Sequence, residues 1–413
     1  MQLTTIVLAS LLPVIPQPVD SNPDSPEAYK LTFKNGQVEI SAKSAEGRVW
    51  AERTLEQLRR AGAVPKDGVI ADSPKYRVRG FTLDVGRMFI PMEFLYKCVD
   101  TMSYYKMNVF HVHLSDCEIC KDPKADWSTK QAAFRMECET YPGLTAKDGF
   151  YTKAEFRAFM KYARSKGITV VPEIDVPAHS LAFTRYRPEF GSKEYGMDHL
   201  DLNKMDEIVP FLDKLFAEYL TGEDPVFIGP YMHVGTDEYN KKEAEKFRLF
   251  TDKMFAIVEK YGYKPCAWGS LTHADGKTPV RASKDITMDI WYNPYYQPEA
   301  ALKAGYTIIS IPDGLVYLVP KAGYYYDFLN CRGLYENWDP RKVGNYTVPD
   351  EYLGQLAGGK FALWNDMLGK GYTTDDLWAR IFPAIQALSQ KFWSGKVEDE
   401  DWGKFEKIAN SLK

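Results

Sequence analysis

Val226-Phe-Ile-Gly-Pro-Tyr-Met-His-Val-Gly235, running on into Thr236-Asp237-Glu238, is the stretch whose reading decides the fold. The apolar run predicts a buried strand. Two adjacent carboxylates stand at its C-terminal end, and a helix-like segment follows from Lys241. A buried strand, polar groups at its end and then a helix is one unit of a parallel α/β fold.

The same rhythm repeats along the chain from Arg77. Strands are predicted over 78–84, 109–114, 168–174, 231–236, 264–268, 286–291, 306–311 and 361–364. Helical stretches fall between most of them, at 93–105, 153–166, 206–220, 241–261 and 298–304. Eight alternating units predict an α/β fold, a (β/α)8 TIM barrel. No repeat of 20–50 residues underlies it. The polar stretches 116–151 and 312–353 follow strands, so both are expected on the active-site face. A short, reduced αβ segment precedes the barrel over 31–72. In it Gln37–Ala42 alternates like a strand, and 46–60 carries Ala51, Leu55 and Leu58 at helical spacing. It is too short to hold a core alone and should pack on the barrel, assigned here to 73–413. Residues 1–30 read as a possible signal and linker.

Composition bounds the function. The 413 residues are 45% hydrophobic, enough for a large core, and the net charge of −4 gives no basic surface for nucleic acid. Aromatics reach 14%, with 27 Tyr and 9 Trp; they suit packing on the C–H faces of sugars, though a large core also uses them. No later stretch of about 20 apolar residues predicts a membrane span. The N-terminus, Met1 to Pro13, is apolar over about the length of a signal h-region but lacks a preceding Lys or Arg. A secreted or periplasmic location is the expectation, with a cytoplasmic one still open. Cys117-Glu-Ile-Cys120 is a lone CxxC without a partner at zinc spacing. Cys117, Cys120 and Cys138 read as free or locally paired. Nothing in the sequence specifies an oligomeric state.

The strand ends are informative when taken together. The first strand ends in Asp84, followed by Arg87. The second carries His111 and His113, then Asp116. The third ends in Pro172-Glu-Ile-Asp175, followed by His179. The fourth gives His233, Asp237 and Glu238. The fifth, sixth and eighth end in Trp268, Trp291 and Trp364, with Asp366 just after. Three tryptophans converging from different strands would wall an apolar slot, with charged groups at its mouth to bind hydroxyls. Each has a plainer reading: Arg87 as an ion pair, one of His111 and His113 as a core histidine, His179 as a loop brace. Adjacent carboxylates such as Asp237 and Glu238 are costly, because like charges push one pKa up. They suit a site needing an acid and an anion together, as glycosidic cleavage does. Glu173, Asp175, His179, His233 and Asp237 could instead hold a divalent ion, but no sharp ligand motif supports this and no metal is expected.

With these residues in place, the chain resembles the β-N-acetylhexosaminidases of glycoside hydrolase family 20. The matching motifs are Arg79-Gly80 with Asp84 and Arg87, Lys106-Met-Asn-Val-Phe-His-Val-His-Leu-Ser-Asp116, Gly149-Phe-Tyr-Thr152, Pro172-Glu-Ile-Asp-Val-Pro-Ala-His179 and His233-Val-Gly-Thr-Asp-Glu238. They occur in family order over about residues 72–395. Thr54–Leu58 and Ile70–Asp72 look like the tail of the family's small preceding domain. Leu315-Val-Tyr-Leu-Val-Pro320, and Tyr239 after Glu238, look more like the dispersin and lacto-N-biosidase branch.

The resemblance implies a retaining, substrate-assisted glycoside hydrolase that removes terminal β-linked GlcNAc or GalNAc without cofactor or metal. Glu238 would be the acid/base, and Asp237 would orient the 2-acetamido group as it forms an oxazolinium ion. Trp268, Trp291 and Trp364 would enclose the acetamido methyl. Arg87, Asp366, His179 and His233 complete the substrate-binding set. The partner is an oligosaccharide or glycoconjugate. Two departures stand out. The family usually has Glu where this chain has Asp366. The family's acetamide-binding Tyr falls by eye at Leu315, with Tyr317 or Tyr292 as replacements. The alternatives are a lacto-N-biosidase-like enzyme releasing a disaccharide and a catalytically weakened carbohydrate binder.

Overall fold

The structure is a computed structural model, and it describes residues 24–395 and 401–411. Of the possible signal and linker at residues 1–30, residues 1–23 lie outside the described residues. Eight parallel strands close into a barrel: Val78–Asp84, Val109–His113, Thr169–Val176, Tyr231–Gly235, Lys264–Trp268, Thr287–Ile290, Thr307–Ser310 and Leu356–Leu363. Each pairs with the next, and the eighth closes on the first with Val78 opposite Gly358 and Leu83 opposite Leu363. This is the predicted (β/α)8 architecture.

Two strands depart from the sequence reading. The eighth begins at Leu356, five residues before the expected 361. Gly358 and Gly359 weaken its strand signal, yet a Cβ on Gly358 would stand 2.0 Å from the Val78 carbonyl oxygen. The strand can pass that close to its neighbour only without a side chain. The seventh strand is interrupted. After Ser310 the chain makes one helical turn, Asp313–Val316, and rejoins the wall as the short strand Tyr317–Leu318 beside Ala362 and Leu363. That extra turn moves the seventh strand-end register from Leu315 to Tyr317.

Helices cover the outside, and the longest, Thr374–Ser394, starts in a capping box between Thr373 and Asp376. Strand alternation turns Phe81, Phe110 and Phe361 to one face, where their rings stack at 5.6 and 4.5 Å. The opposite face, towards the barrel axis, carries polar groups in place of the usual branched aliphatics. The N-terminal piece is a three-stranded antiparallel sheet with the helix Ala45–Arg60. Its core of Tyr29, Leu31, Phe33, Trp50, Leu55 and Leu58 includes Trp393 from the last barrel helix. Arg79, at the start of the first strand, lies over Trp50 and Trp393 and donates to Glu27 at 2.6 Å, stitching the segment to the barrel foot. No helix among the described residues is long and apolar enough to cross a membrane. All six cysteines are free, so the locally paired alternative for Cys117, Cys120 and Cys138 falls away.

Candidate active site

At the C-terminal end of the barrel the loops surround a cleft of about 760 Å³. Its lower support is a buried polar hub. Glu173, on the third strand, lies in register between His113 on the second and His233 on the fourth. Its carboxylate accepts from His113 Nδ1 at 2.6 Å and from Trp268 Nε1 at 2.6 Å, and it faces His111 Nε2 at 2.9 Å and His233 Nδ1 at 3.2 Å. Burial alone would raise the Glu173 carboxyl. The His113, His233 and His111 imidazoles hold it well below the ordinary carboxylate range. Lys360 on the eighth strand donates to Asp289 on the sixth at 2.6 Å, closing the layer.

A chain of hydrogen bonds climbs from this hub to the cleft. The other nitrogen of His113 reaches Asp116 Oδ2 at 2.6 Å. Asp116 Oδ1 meets His179 Nδ1 at 2.9 Å, and His179 Nε2 donates to Glu238 Oε2 at 3.1 Å. His179 Nε2 also stands 3.7 Å from Asp237 Oδ1. One imidazole therefore touches both members of the carboxylate pair. Burial opposes its charge, but Asp116, Asp175 and Glu238 raise the His179 pKa well above the usual imidazole value. Glu238 would be raised by burial, yet the hydrogen bond and charge of His179 hold it low. Asp237 goes the other way. Burial, opposed by His179 and reinforced by Glu238 and Glu173, pushes it up to about 7. Asp175, buried beside Asp237, is raised well above its ordinary value.

The backbone under the pair is strained. Gly235 has φ +69°, and a Cβ there would collide with Asp175 Oδ1. Thr236 at φ +64°, Glu238 at φ +44° and His179 at φ +53° are also left-handed. A β-branched residue in that region is costly, and such strain persists where the surroundings hold a site in place.

Around Asp237 the cleft is aromatic. Trp291, Trp364, Tyr295, Tyr317 and Tyr325 line it. Tyr317 stacks near-parallel to Trp291 at 6.4 Å and tilts against Trp364 at 5.7 Å. Among the described residues its hydroxyl has no hydrogen-bond partner. Burial and the nearby Asp313 and Asp237 charges raise its pKa well above 10. Asp175 Oδ1, Asp237 Oδ1, Trp291 Nε1 and Trp364 Nε1 are buried without a hydrogen-bond partner. Unpaired buried polar atoms are rare in folded proteins, and their gathering at one cleft floor marks where a polar ligand would be satisfied.

The opposite end is charged. Arg87 Nη1 stands 2.8 Å from Asp116, 3.1 Å from Asp84 and 3.5 Å from Asp366. Asp84 also accepts from the Asn365 backbone N–H, so it aligns the Arg87 and Asp366 loops. Arg87, His179, Asp237, Glu238, Trp291, Trp364 and Asp366 all line this one cleft. His233 and Trp268 are not at its surface. His233 is fully buried in the hub, and Trp268 lies behind Trp364 at 5.6 Å with its N–H spent on Glu173. Of the two tyrosines the sequence offers for the acetamide oxygen, Tyr317 lines the cleft and Tyr292 does not; Asp116 and Asp175 also line it, although the sequence names neither as a substrate-binding residue. Tyr324 and Tyr325 carried no periodic or motif signal.

The chain is similar to a family of known proteins. The model of the glycosyl hydrolase family 20 catalytic domain matches residues 76–248 and 240–396. A β-hexosaminidase of Akkermansia muciniphila is 27% identical over 414 residues, covering 89% of this chain and 79% of the relative. One from Vibrio furnissii is 30% identical over 418 residues, covering 89% and 66%. The lacto-N-biosidase of Bifidobacterium bifidum is 26% identical over 406 residues, covering 91% of this chain and 34% of that protein. The solved β-N-acetylhexosaminidase of Streptomyces coelicolor A3(2) shares the fold, with a TM-score of 0.75 at 24% identity over 95% of this chain and 81% of that one. With the family model spanning the barrel from its first strand to its last helix, the chain belongs to glycosyl hydrolase family 20.

Proposed function

We propose that this glycosidase removes terminal β-linked N-acetylhexosamine, GlcNAc or GalNAc, with retention of configuration. The 2-acetamido group of the sugar serves as nucleophile. The observation that carries this reading is the floor of the cleft. Asp237, Tyr317, Trp291 and Trp364 place an anion, a free hydroxyl donor and an apolar wall together. Those are the complements of an acetamide N–H, its oxygen and its methyl. Asp237 accepts the N–H, and Tyr317 donates to the oxygen as it attacks C1. The tryptophans enclose the methyl. The bond to the leaving oxygen breaks as Glu238 protonates it, giving an oxazolinium ion. Water deprotonated by Glu238 then opens that ion. Arg87 and Asp366 bind hydroxyls at the other end of the ring.

At rest the proton needed by the leaving group lies on His179 rather than Glu238, given the opposite shifts of the two groups. It has one hydrogen bond of 3.1 Å to cross. The pair keeps that proton until pH passes the raised value of His179, and this loss sets the alkaline limb of kcat/KM. His179→Gln removes the proton store. The expected result is an alkaline limb displaced to lower pH and a kcat about 10²-fold lower. A limb left in place would detach His179 from the acid.

The test of the reading as a whole is a set of chromogenic β-glycosides. GlcNAc or GalNAc glycosides should be hydrolysed with the β-anomer of the free sugar formed first. Rates should fall steeply as the acetyl methyl is successively fluorinated, because its oxygen becomes a poorer nucleophile. A rate indifferent to fluorination would sink the acetamide as nucleophile. Turnover of a β-lacto-N-bioside alone would make the enzyme a disaccharide-releasing one.

A further inference from the structure

The loop 320–328 reaches over the charged end of the cleft and carries three consecutive tyrosines, Tyr324, Tyr325 and Tyr326. Its base is tied down. Asp327 accepts from the Lys321 N–H at 2.9 Å and from Arg380 Nη2 at 2.8 Å, on the last barrel helix. Lys321 and Gly323 take left-handed backbone at φ +60° and +78°, which folds the tip back. The Lys321 ammonium donates to the Gly371 carbonyl, joining this loop to the one that carries Asp366. From the tip, Tyr325 donates to Asp313 at 2.7 Å and packs edge-on against Tyr317 at 5.7 Å. Tyr324 donates to Asp366 Oδ2 at 2.7 Å.

Tyr324 is 58% exposed, yet its hydroxyl is fixed. The reason lies in the charges below it. Arg87 serves Asp84, Asp116 and Asp366, and Asp366 is the most distant of the three at 3.5 Å. Burial and the neighbouring Asp84 and Asp116 disfavour its charge, against which Arg87 and the Tyr324 hydroxyl act. A neutral donor stabilises the third carboxylate without adding another cation. It also leaves the tyrosine oxygen with acceptor capacity at the cleft edge, beyond the reach of the short Asp366 side chain.

We infer that the Tyr324 hydroxyl, seated on Asp366, is a specificity-determining contact: the two form one hydroxyl-reading unit for the end of an N-acetylhexosamine remote from its scissile bond, where GlcNAc and GalNAc differ at C4. The inference rests on the hexosaminidase reading above. A sugar hydroxyl that donates to Asp366 and accepts nothing else is ambiguous in direction. One that shares its single O–H between Asp366 and the Tyr324 oxygen in a three-centre bond is fixed in angle, which is what separates an equatorial from an axial hydroxyl. A site built to hydrogen-bond a hydroxyl discriminates strongly, because the wrong epimer leaves its polar atoms unpaired.

The experiment measures kcat and KM on chromogenic β-GlcNAc and β-GalNAc for wild type, Tyr324→Phe, Asp366→Glu and the double variant. Tyr324→Phe keeps the ring and the exposed loop, so folding is untouched. KM for the preferred sugar should rise about 10-fold, the loss expected of one hydrogen bond, with kcat within about two-fold. The GlcNAc to GalNAc ratio of kcat/KM should move by at least about five-fold. In the Asp366→Glu background the longer carboxylate occupies the place of the hydroxyl, so Tyr324→Phe should change little; the two effects are not additive. An unchanged KM and ratio in Tyr324→Phe, or equal effects in both backgrounds, overturns the inference while wild-type turnover upholds the activity. Absence of wild-type turnover on either sugar overturns both.

Discussion

Glu238→Gln is expected to lower kcat/KM on an alkyl β-N-acetylhexosaminide by about 10³-fold, within the range that general acid–base catalysis supplies. The loss should shrink to about 10-fold or less on a dinitrophenyl glycoside, whose leaving oxygen departs without a proton. This contrast identifies the acid, since a misfolded site would lose both substrates equally. Gln keeps the shape of the side chain and can still accept from His179 Nε2, so the bond that orients residue 238 survives. What disappears is the proton that His179 passes upward. The alkaline limb of kcat/KM that the wild type shows on the alkyl substrate should therefore be absent in the variant, because no group is left whose proton the first step consumes. Glu238 is about half exposed, and thermal stability should change little. Equal losses on both leaving groups would mean that Glu238 positions the sugar rather than protonates it.

The barrel was legible because most of its strands are apolar-rich runs that stop at or just before a charged or aromatic residue. Boundaries failed where local chemistry cut against the run. Gly358 and Gly359 hid the start of the eighth strand, although the close approach to Val78 is why they are glycines. Pro312 and the turn 313–316 broke the seventh, so counting along the sequence reached Leu315 where space holds Tyr317. Strand spacing predicts which face a side chain occupies but not its depth along the barrel axis. Trp268 and Trp364 both end strands, yet one gives its N–H to Glu173 and the other lines the cleft. His233 reads as a ligand from spacing and lies in the hub because its neighbour across the register is Glu173. Tyr324 could not be found at all. Its partner Asp366 is 42 residues away, and no periodicity links a loop tip to the end of a strand on another loop.

Asp237→Asn is expected to lower kcat by about 10²–10³-fold with KM changed by less than about three-fold, the loss typical of removing one preorganised electrostatic partner. The asymmetry follows from what each form can do. Asn still accepts the acetamide N–H through its own oxygen, so ground-state binding persists. It carries no charge to meet the positive charge that spreads over the acetamide as the ring closes, so only the transition state is penalised. The pH profile supplies a second signature. In the free protein, burial beside Glu238 and Glu173 pushes Asp237 up to about 7, and below that pH the group is protonated. The anion is the active form, so wild-type kcat/KM should fall on the acid side of about pH 7, and Asn, which does not titrate, should abolish that limb. Asp175 sharpens the expectation. Fully buried beside Asp237, it is raised well above its ordinary value by burial and then by the Asp237 charge, so removing that charge relieves part of the shift. In the Asn variant, which has no titrating group at position 237, the residual activity should be independent of pH between about 5 and 7. An acid limb that survives in Asp237→Asn would belong to another group, and the assignment of Asp237 as the anion behind the acetamide would fall with it.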